Sequence, residues 1–188
     1  LEEQTGGEIC REDFYPVPFV IPISKFVEGW KKGRQIEFSV HPHCGAGTYV
    51  FIEDEKFIPI TRFIDVEGLM EFLKEITPLF QSKLGKIEVI GKIVRAIPRY
   101  IDKKYSPKDV DVGKLLVDIL KKGSREATAK FHYNVLFIGA MHFQDAYNFD
   151  LQRLERCGIH YVIPDGRVIP FCSYNTLYRE KIEKEFAI

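Results

Sequence analysis

Ile159-His160-Tyr161-Val162-Ile163-Pro164-Asp165-Gly166-Arg167-Val168-Ile169-Pro170-Phe171 is the stretch that decides the fold class. Two runs of β-branched and aromatic residues flank Pro-Asp-Gly, and each turn residue has its own task. Proline presets φ, aspartate bonds back to the backbone, and glycine accepts positive φ. A three-residue turn sets Ile163 opposite Arg167, which makes the segment an antiparallel hairpin. That register leaves Cys157 and Cys172 one position out of step at the hairpin's open end.

Working outward, 150–156 reads as a short helix, and Asn134 to Ile138 as a buried strand leading into Gly139-Ala140-Met141-His142-Phe143. A helix from about Thr176 to Glu185 closes the chain. Toward the N-terminus a second hairpin is expected. Thr48 to Ile52 and Phe57 to Ile60 are strand-like runs separated by Glu53-Asp54-Glu55-Lys56, and Pro59 confines its strand to an edge or a bulge. Between the hairpins lie three apolar stripes at helical spacing. The first is Val66, Leu69, Met70, Leu73 and Ile76 behind the cap Asp65. The second is Leu84, Ile87, Ile90, Val94 and Ile97. The third is Val112, Leu115, Leu116, Ile119 and Leu120, with Asp111 as cap, Lys121-Lys122 in the last turn and Gly123 as stop. Residues 1–23, with Pro16, Pro18 and Pro22, read as an irregular strap. Ser24 caps a short helix stopped by Gly33, and Gln35 to Val40 reads as a strand. The class is α+β, antiparallel hairpins with a helical middle packed on one side. The chain reads as a single domain over 1–188: strap and hairpin to 65, helical segment 66–123, then strand, hairpin and C-terminal helix over 124–188.

With 188 residues, 45% of them hydrophobic and 13% aromatic, the chain has ample material for a core and is not disordered. No apolar run is long enough to span a bilayer and the first residues are polar and acidic, so a cytoplasmic, non-transmembrane protein is expected. The first residue is Leu1, not Met, as expected either of a fragment of a longer protein or of a chain that has lost its start. Net charge is zero but uneven. Lys83 to Lys130 holds 13 basic side chains against six acids, a local +7 balanced by −7 elsewhere. Such a stretch is ordinarily the solvated face of amphipathic helices, and it can steer an anionic partner. Only Tyr100 and Tyr105 interleave it, too few for base stacking, so nucleic acid is not expected.

The chemistry-bearing residues are the cysteines Cys10, Cys44, Cys157 and Cys172. Without a secretory signal they point to metal binding, catalysis or plain burial rather than disulfides. The hairpin delivers Cys157 and Cys172 to neighbouring backbone sites. Cys44 follows His41-Pro42-His43 and precedes Gly45-Ala46-Gly47, a backbone free to turn and to offer N–H groups to sulfur. Soft thiolates select zinc or iron–sulfur clusters over Mg²⁺ or Ca²⁺. Cys44, Cys157 and Cys172 with His43 or His160 form the candidate metal set, His41, His142 and Cys10 being alternates. For the hairpin pair, two free cysteines packed as small apolar residues is the plainer alternative. The stretch Asp145 to Asp150 reads either as a pocket lid or as a polar loop before a helix. Phosphate-cradling glycine loops, Gly-x-Ser-x-Gly and His-Glu-x-x-His are all absent.

Met141-His142-Phe143-Gln144-Asp145-Ala146-Tyr147-Asn148-Phe149-Asp150, followed from Arg156 by Arg-Cys-Gly-Ile-His-Tyr-Val-Ile-Pro-Asp-Gly-Arg-Val-Ile-Pro-Phe-Cys-Ser-Tyr-Asn, resembles the C-terminal part of a group of radical S-adenosylmethionine (SAM) proteins common in archaea. The group includes the tetraether lipid synthases and the methanopterin-type methylases. Asp13-Phe14-Tyr15-Pro16-Val17-Pro18 and His41 to Tyr49, continuing to Arg62-Phe63-Ile64-Asp65, look like the same group. The resemblance implies an accessory domain that lies after a radical SAM barrel and shapes the substrate site. In some members such a domain binds an additional Fe–S cluster or metal. The family's Cys-x3-Cys-x2-Cys motif is absent here, so SAM cleavage is expected only in the full-length enzyme. The resemblance places Cys44, Cys157 and Cys172 at family cysteine positions, with a [4Fe–4S] cluster or zinc as cofactor. The resemblance implies a cysteine near the Pro-Val-Pro strap, where Phe19 stands here, so it leaves three alternatives: Cys10 as fourth ligand, a histidine as fourth ligand, or a site that has been lost. The rival reading is a zinc-stabilised module that contacts an anionic partner through the basic middle.

Overall fold

The protein is described by a computed structural model that covers every residue except 38, 109–110, 123–128, 130, 134 and 188, with only the backbone of 119–122. The helix stop at Gly123, the strand start at Asn134, and Asp109, Arg125, Glu126 and Lys130 of the basic stretch lie outside the described residues. So do the side chains of Ile119, Leu120, Lys121 and Lys122. The fold is α+β. By its contacts the chain divides into two compact units, one of 1–15, 19–37 and 47–139, the other of 16–18, 38–46 and 140–188.

Six strands are β1 (Tyr15–Pro16), β2 (Gly45–Glu53), β3 (Lys56–Pro59), β4 (Leu136–Met141), β5 (His160–Val162) and β6 (Val168–Pro170). β2 pairs with β1, β3 and β4; β5 and β6 form their own antiparallel pair. The β2–β3 register, Val50 opposite Pro59 through Glu53 opposite Lys56, leaves the two-residue turn Asp54-Glu55, both at positive φ. Pro59 ends its strand, as its missing N–H requires.

The helices of the first unit are α1 (Ile21–Lys31), α2 (Val66–Ile76), α3 (Gly85–Ala96) and α4 (Val112–Lys122). The Asp65 carboxylate caps α2 by accepting from the Gly68 N–H at 2.9 Å, and Asp111 accepts from Lys114 at the same distance. The core joins Leu69, Met70, Leu73 and Ile76 of α2 to Val89 and Ile93 of α3, Ile97, and Val50 and Phe51 of β2. Phe51 meets Phe63 edge-on at 5.4 Å, and Phe26 meets Phe80 in the same way at 5.2 Å. Full burial of a ring such as Phe26, Phe51 or Phe63 contributes about 2–3 kcal/mol.

Five expectations are corrected, the last at the C-terminal helix. The helix before residue 33 starts at Ile21 rather than at a Ser24 cap, because Pro22 in a first turn needs no N–H partner and already has a helical φ. Residues 34–37 and 39–40 form no strand; β2 already pairs with three strands, and Ile36 stays exposed. Of the second expected stripe, Ile97 just past α3 is buried as read, but Leu84, Ile87 and Val94 are exposed, and the buried apolar side chains of α3 are Val89 and Ile93. Both stripes obey helical spacing, and only packing chooses between them. β4 exists, but Leu136 and Phe137 of the run expected to be buried are exposed, since pairing satisfies a backbone without covering its faces.

In the second unit α5 (Leu151–Glu155) is capped by Asp150, whose carboxylate accepts from the Gln152 and Arg153 N–H groups. The hairpin holds His160 opposite Pro170 and Val162 opposite Val168. Ile163 and Arg167 close it as read, with Gly166 at φ 87°. The terminal helix begins earlier than Thr176. It runs as α6 (Phe171–Ser173), a π-helical turn (Tyr174–Tyr178) and α7 (Arg179–Phe186), whose Ile182 packs with Ile163 and Ile169.

Candidate metal centre

Cys44, Cys157, Cys172, His43 and His160 all fall in the second unit. Cys44 ends the 3₁₀ turn Pro42–Cys44, entered through His41, whose Nδ1 accepts from the His43 N–H at 3.2 Å. The two imidazoles stand edge-to-face at 4.9 Å. Gly45 must be small here. A Cβ on it would stand 2.6 Å from the Met141 sulfur and 3.1 Å from the Ala140 oxygen.

A short relay of hydrogen bonds strings the three cysteines together. The Cys44 carbonyl accepts from the His142 N–H at 3.0 Å. Two residues on, the Gln144 N–H donates to the Cys172 Sγ at 3.4 Å. Phe171, beside Cys172, donates its N–H to the Ile159 carbonyl at 2.9 Å, and that same oxygen accepts from the Cys157 thiol at 3.0 Å. All four cysteines are free. Cys10 belongs to the first unit, where its thiol donates to the Gly7 carbonyl at 3.2 Å. His160 is exposed on β5, next to Ile159. His142 is exposed too, and its backbone rather than its ring is engaged.

The donor chemistry suits a thiophilic group, and an N–H aimed at sulfur is the kind of bond that tunes a cluster thiolate. As the side chains stand, no group of three or more His, Cys, Asp or Glu among the described residues is gathered to hold one metal ion. A zinc ion needs such a gathering, because its ~2.3 Å bonds bring sulfurs within about 4 Å of each other. A four-iron cluster is broader and takes its thiolates from further apart.

Two residues that sequence reading passed over organise this region. Gln144 is buried; its side-chain oxygen accepts from the Asp150 N–H and its carbonyl from the Thr176 hydroxyl. Arg153 is 5% exposed, and its Nη2 donates to the His142 carbonyl. Both are polar residues in a polar stretch, so no pattern marks them. The Asp145–Asp150 stretch is a polar loop. The Asp145 carboxylate accepts from the Tyr147 and Asn148 N–H groups, and Asp150 serves as the α5 cap. At the hairpin tip Arg167 holds the Asp165 carboxyl below its usual range, an exposed pair 2.6 Å apart.

No family model matches the chain. Over an alignment of 192 residues, taking in the whole chain, it is 52% identical to the 7,8-dihydro-6-hydroxymethylpterin dimethyltransferase of Methanocaldococcus jannaschii. The chain is similar to part of a methyltransferase. It spans 38% of that relative's length. Among the described residues no helix is long and apolar enough to cross a membrane.

Proposed function

We propose that this chain is the region following the radical SAM barrel of a pterin methyltransferase, and that Cys44, Cys157 and Cys172 hold an auxiliary [4Fe–4S] cluster there, with His43 or His160 as fourth ligand. The observation that carries the reading is the 52% identity to the pterin dimethyltransferase across the whole chain. The hydrogen-bond relay through His142, Gln144, Ile159 and Phe171 supports the ligand set. When bound, the cluster supplies one-electron transfer beside the radical chemistry that SAM begins in the barrel.

The residues of this chain have separate tasks in that reading. The β5–β6 hairpin fixes the spacing of Cys157 and Cys172. The Gln144 N–H withdraws charge from the Cys172 sulfur, and the π turn after Ser173 lets the terminal helix leave the site while Thr176 reaches back to Gln144. The chain has no Cys-x3-Cys-x2-Cys run, so by itself it splits no SAM.

The test is the metal and sulfide content of protein purified without oxygen. About four irons and four sulfides per chain, with a broad brown absorption, support the cluster. About one zinc and no sulfide replace it with a structural ion, and neither metal overturns the site. Appreciable 5′-deoxyadenosine from the isolated chain with SAM and reductant overturns the accessory role.

A further inference from the structure

Helix α3 is apolar on two opposite faces, and the first unit covers one of them. Val89 and Ile93 are fully buried in its core, whereas Leu84, at the cap of α3, Ile87 and Val94 are 68%, 71% and 45% exposed. Positions 84, 87, 91 and 94 recur at helical spacing, so these three side chains share one stripe with Gly91. A surface helix ordinarily turns charge to the solvent there, and a helix apolar all round belongs inside a larger core. Gly91 points the same way independently. It stands mid-helix, where glycine is unfavourable against alanine, and a Cβ on it would meet nothing within 4 Å. Gly85 of the same helix is kept small by the Leu79 carbonyl, but no described neighbour makes that demand at 91. A missing side chain in the middle of an exposed apolar stripe is a notch, into which a second backbone can come close.

We infer that the face of Leu84, Ile87, Gly91 and Val94 is where the rest of a longer polypeptide docks on this unit, through an apolar surface rimmed by carboxylates. The inference rests on the reading of this chain as one region of a longer enzyme. The relative that it matches throughout has most of its length outside the matched part, since the chain spans 38% of it. That remainder is the source of the missing cover, and the rim states its chemistry. Lys83, Arg95 and Arg99 are exposed along the stripe, no ion pair among the described residues reaches them, and the one acid of α3 is Glu88. Carboxylates opposite such a rim fix register and orientation while the apolar stripe supplies the burial. A bilayer surface fits less well, because an interfacial helix gains from large side chains, above all Trp and Phe, and has no use for a glycine notch.

The experiment uses the full-length enzyme, and Gly91→Leu supplies the sign. Leucine is the better helix former, so on a free face it raises the melting temperature, whereas in a docked notch it lowers it by several degrees. Ile87→Asp should lower it too, although on a free face that change leaves it near wild type. A benzophenone amino acid in place of Ile87 should cross-link on illumination, within one polypeptide, to a peptide outside these 188 residues that carries Asp or Glu beside apolar side chains. A higher melting temperature for Gly91→Leu, or no cross-link beyond these residues, overturns the inference and leaves the enzyme reading standing. So do cross-links between two copies, or binding to phosphatidylserine-containing vesicles that Ile87→Asp abolishes. Should Gly91→Leu not fold, the cross-link decides. A native protein whose mass accounts for these 188 residues alone overturns both the inference and the reading beneath it.

Discussion

Gln144 donates its backbone N–H to the Cys172 sulfur over 3.4 Å while its side chain holds the Asp150 N–H, so one buried residue ties the 142–150 loop to both a thiol and a helix cap. The cysteines joined to this framework should behave differently from the fourth. Cys44→Ala, Cys157→Ala and Cys172→Ala each remove a thiolate from the proposed set. Each is expected to cut iron content at least severalfold in protein purified without oxygen. Cys10→Ala should leave iron near wild type, because its thiol serves the Gly7 carbonyl. Loss of iron in Cys10→Ala would make it the missing fourth ligand and displace His43 and His160.

Asp13 anchors the N-terminal strap. It is 2% exposed and accepts from the Cys10 N–H at 2.7 Å, from the Thr61 hydroxyl and from Arg62 at 2.9 Å. Asp13→Ala leaves three donors unmatched. It should destabilise the fold by about 3 kcal/mol, the lower end for a broken buried pair because Arg62 is half exposed. Asp13→Asn keeps the shape and one acceptor, and should cost about half as much. Denaturant midpoints compare the two.

How far the sequence could be read depends on what kind of information each element carries. The β5–β6 register was legible because Pro164-Asp165-Gly166 fixes it locally, and Asp65 and Asp111 were legible as caps for the same reason. The buried face of α3 was not. Leu84-Ile87-Val94 and Val89-Ile93 both continue at helical spacing to the buried Ile97, and the choice between them is made by residues far away in sequence. The exposure of Leu136 and Phe137 on β4 was hidden for the same reason. At the candidate site the cysteines stood out by chemistry. Gln144 and Arg153 did not, because burial of a polar side chain leaves no trace in a pattern of apolar spacing.

Gly85 opens α3 so close to the preceding 3₁₀ segment that a Cβ on it would lie 2.0 Å from the Leu79 carbonyl oxygen and 3.0 Å from the Phe80 Cα. Both are backbone atoms, so the segment itself must move. Gly85→Ala is expected to destabilise by about 2 kcal/mol or more, against the usual gain of alanine over glycine in a helix. A melt no lower than wild type would show that the 77–81 turn yields freely.

Glu55 sits at φ 62° in the two-residue turn between β2 and β3, beside Asp54 at φ 50°. That turn needs positive φ at both positions, and a side chain with a Cβ strains there while glycine does not. Glu55→Gly should therefore raise stability by about 1 kcal/mol, although it deletes a side chain. Its denaturant midpoint at neutral pH checks the sign.

Tyr49 supplies a pH dependence whose sign can be fixed. Its ring packs between Phe131 and Phe137 at 5.0 and 5.1 Å, and burial raises its phenol above the ordinary 10.0. The folded state therefore holds the proton to higher pH than the unfolded chain does. Below about pH 10 both states are protonated and the phenol has no effect on the pH profile. Above it the unfolded chain ionises first, and stability falls until the folded phenol ionises as well. Tyr49→Phe cannot ionise. The difference in stability between wild type and Tyr49→Phe should be constant from about pH 7 to 9 and shift in favour of Tyr49→Phe at about pH 11. Denaturant melts of the two proteins across that range measure it, and parallel curves would mean that the phenol is as well solvated in the fold as in the open chain.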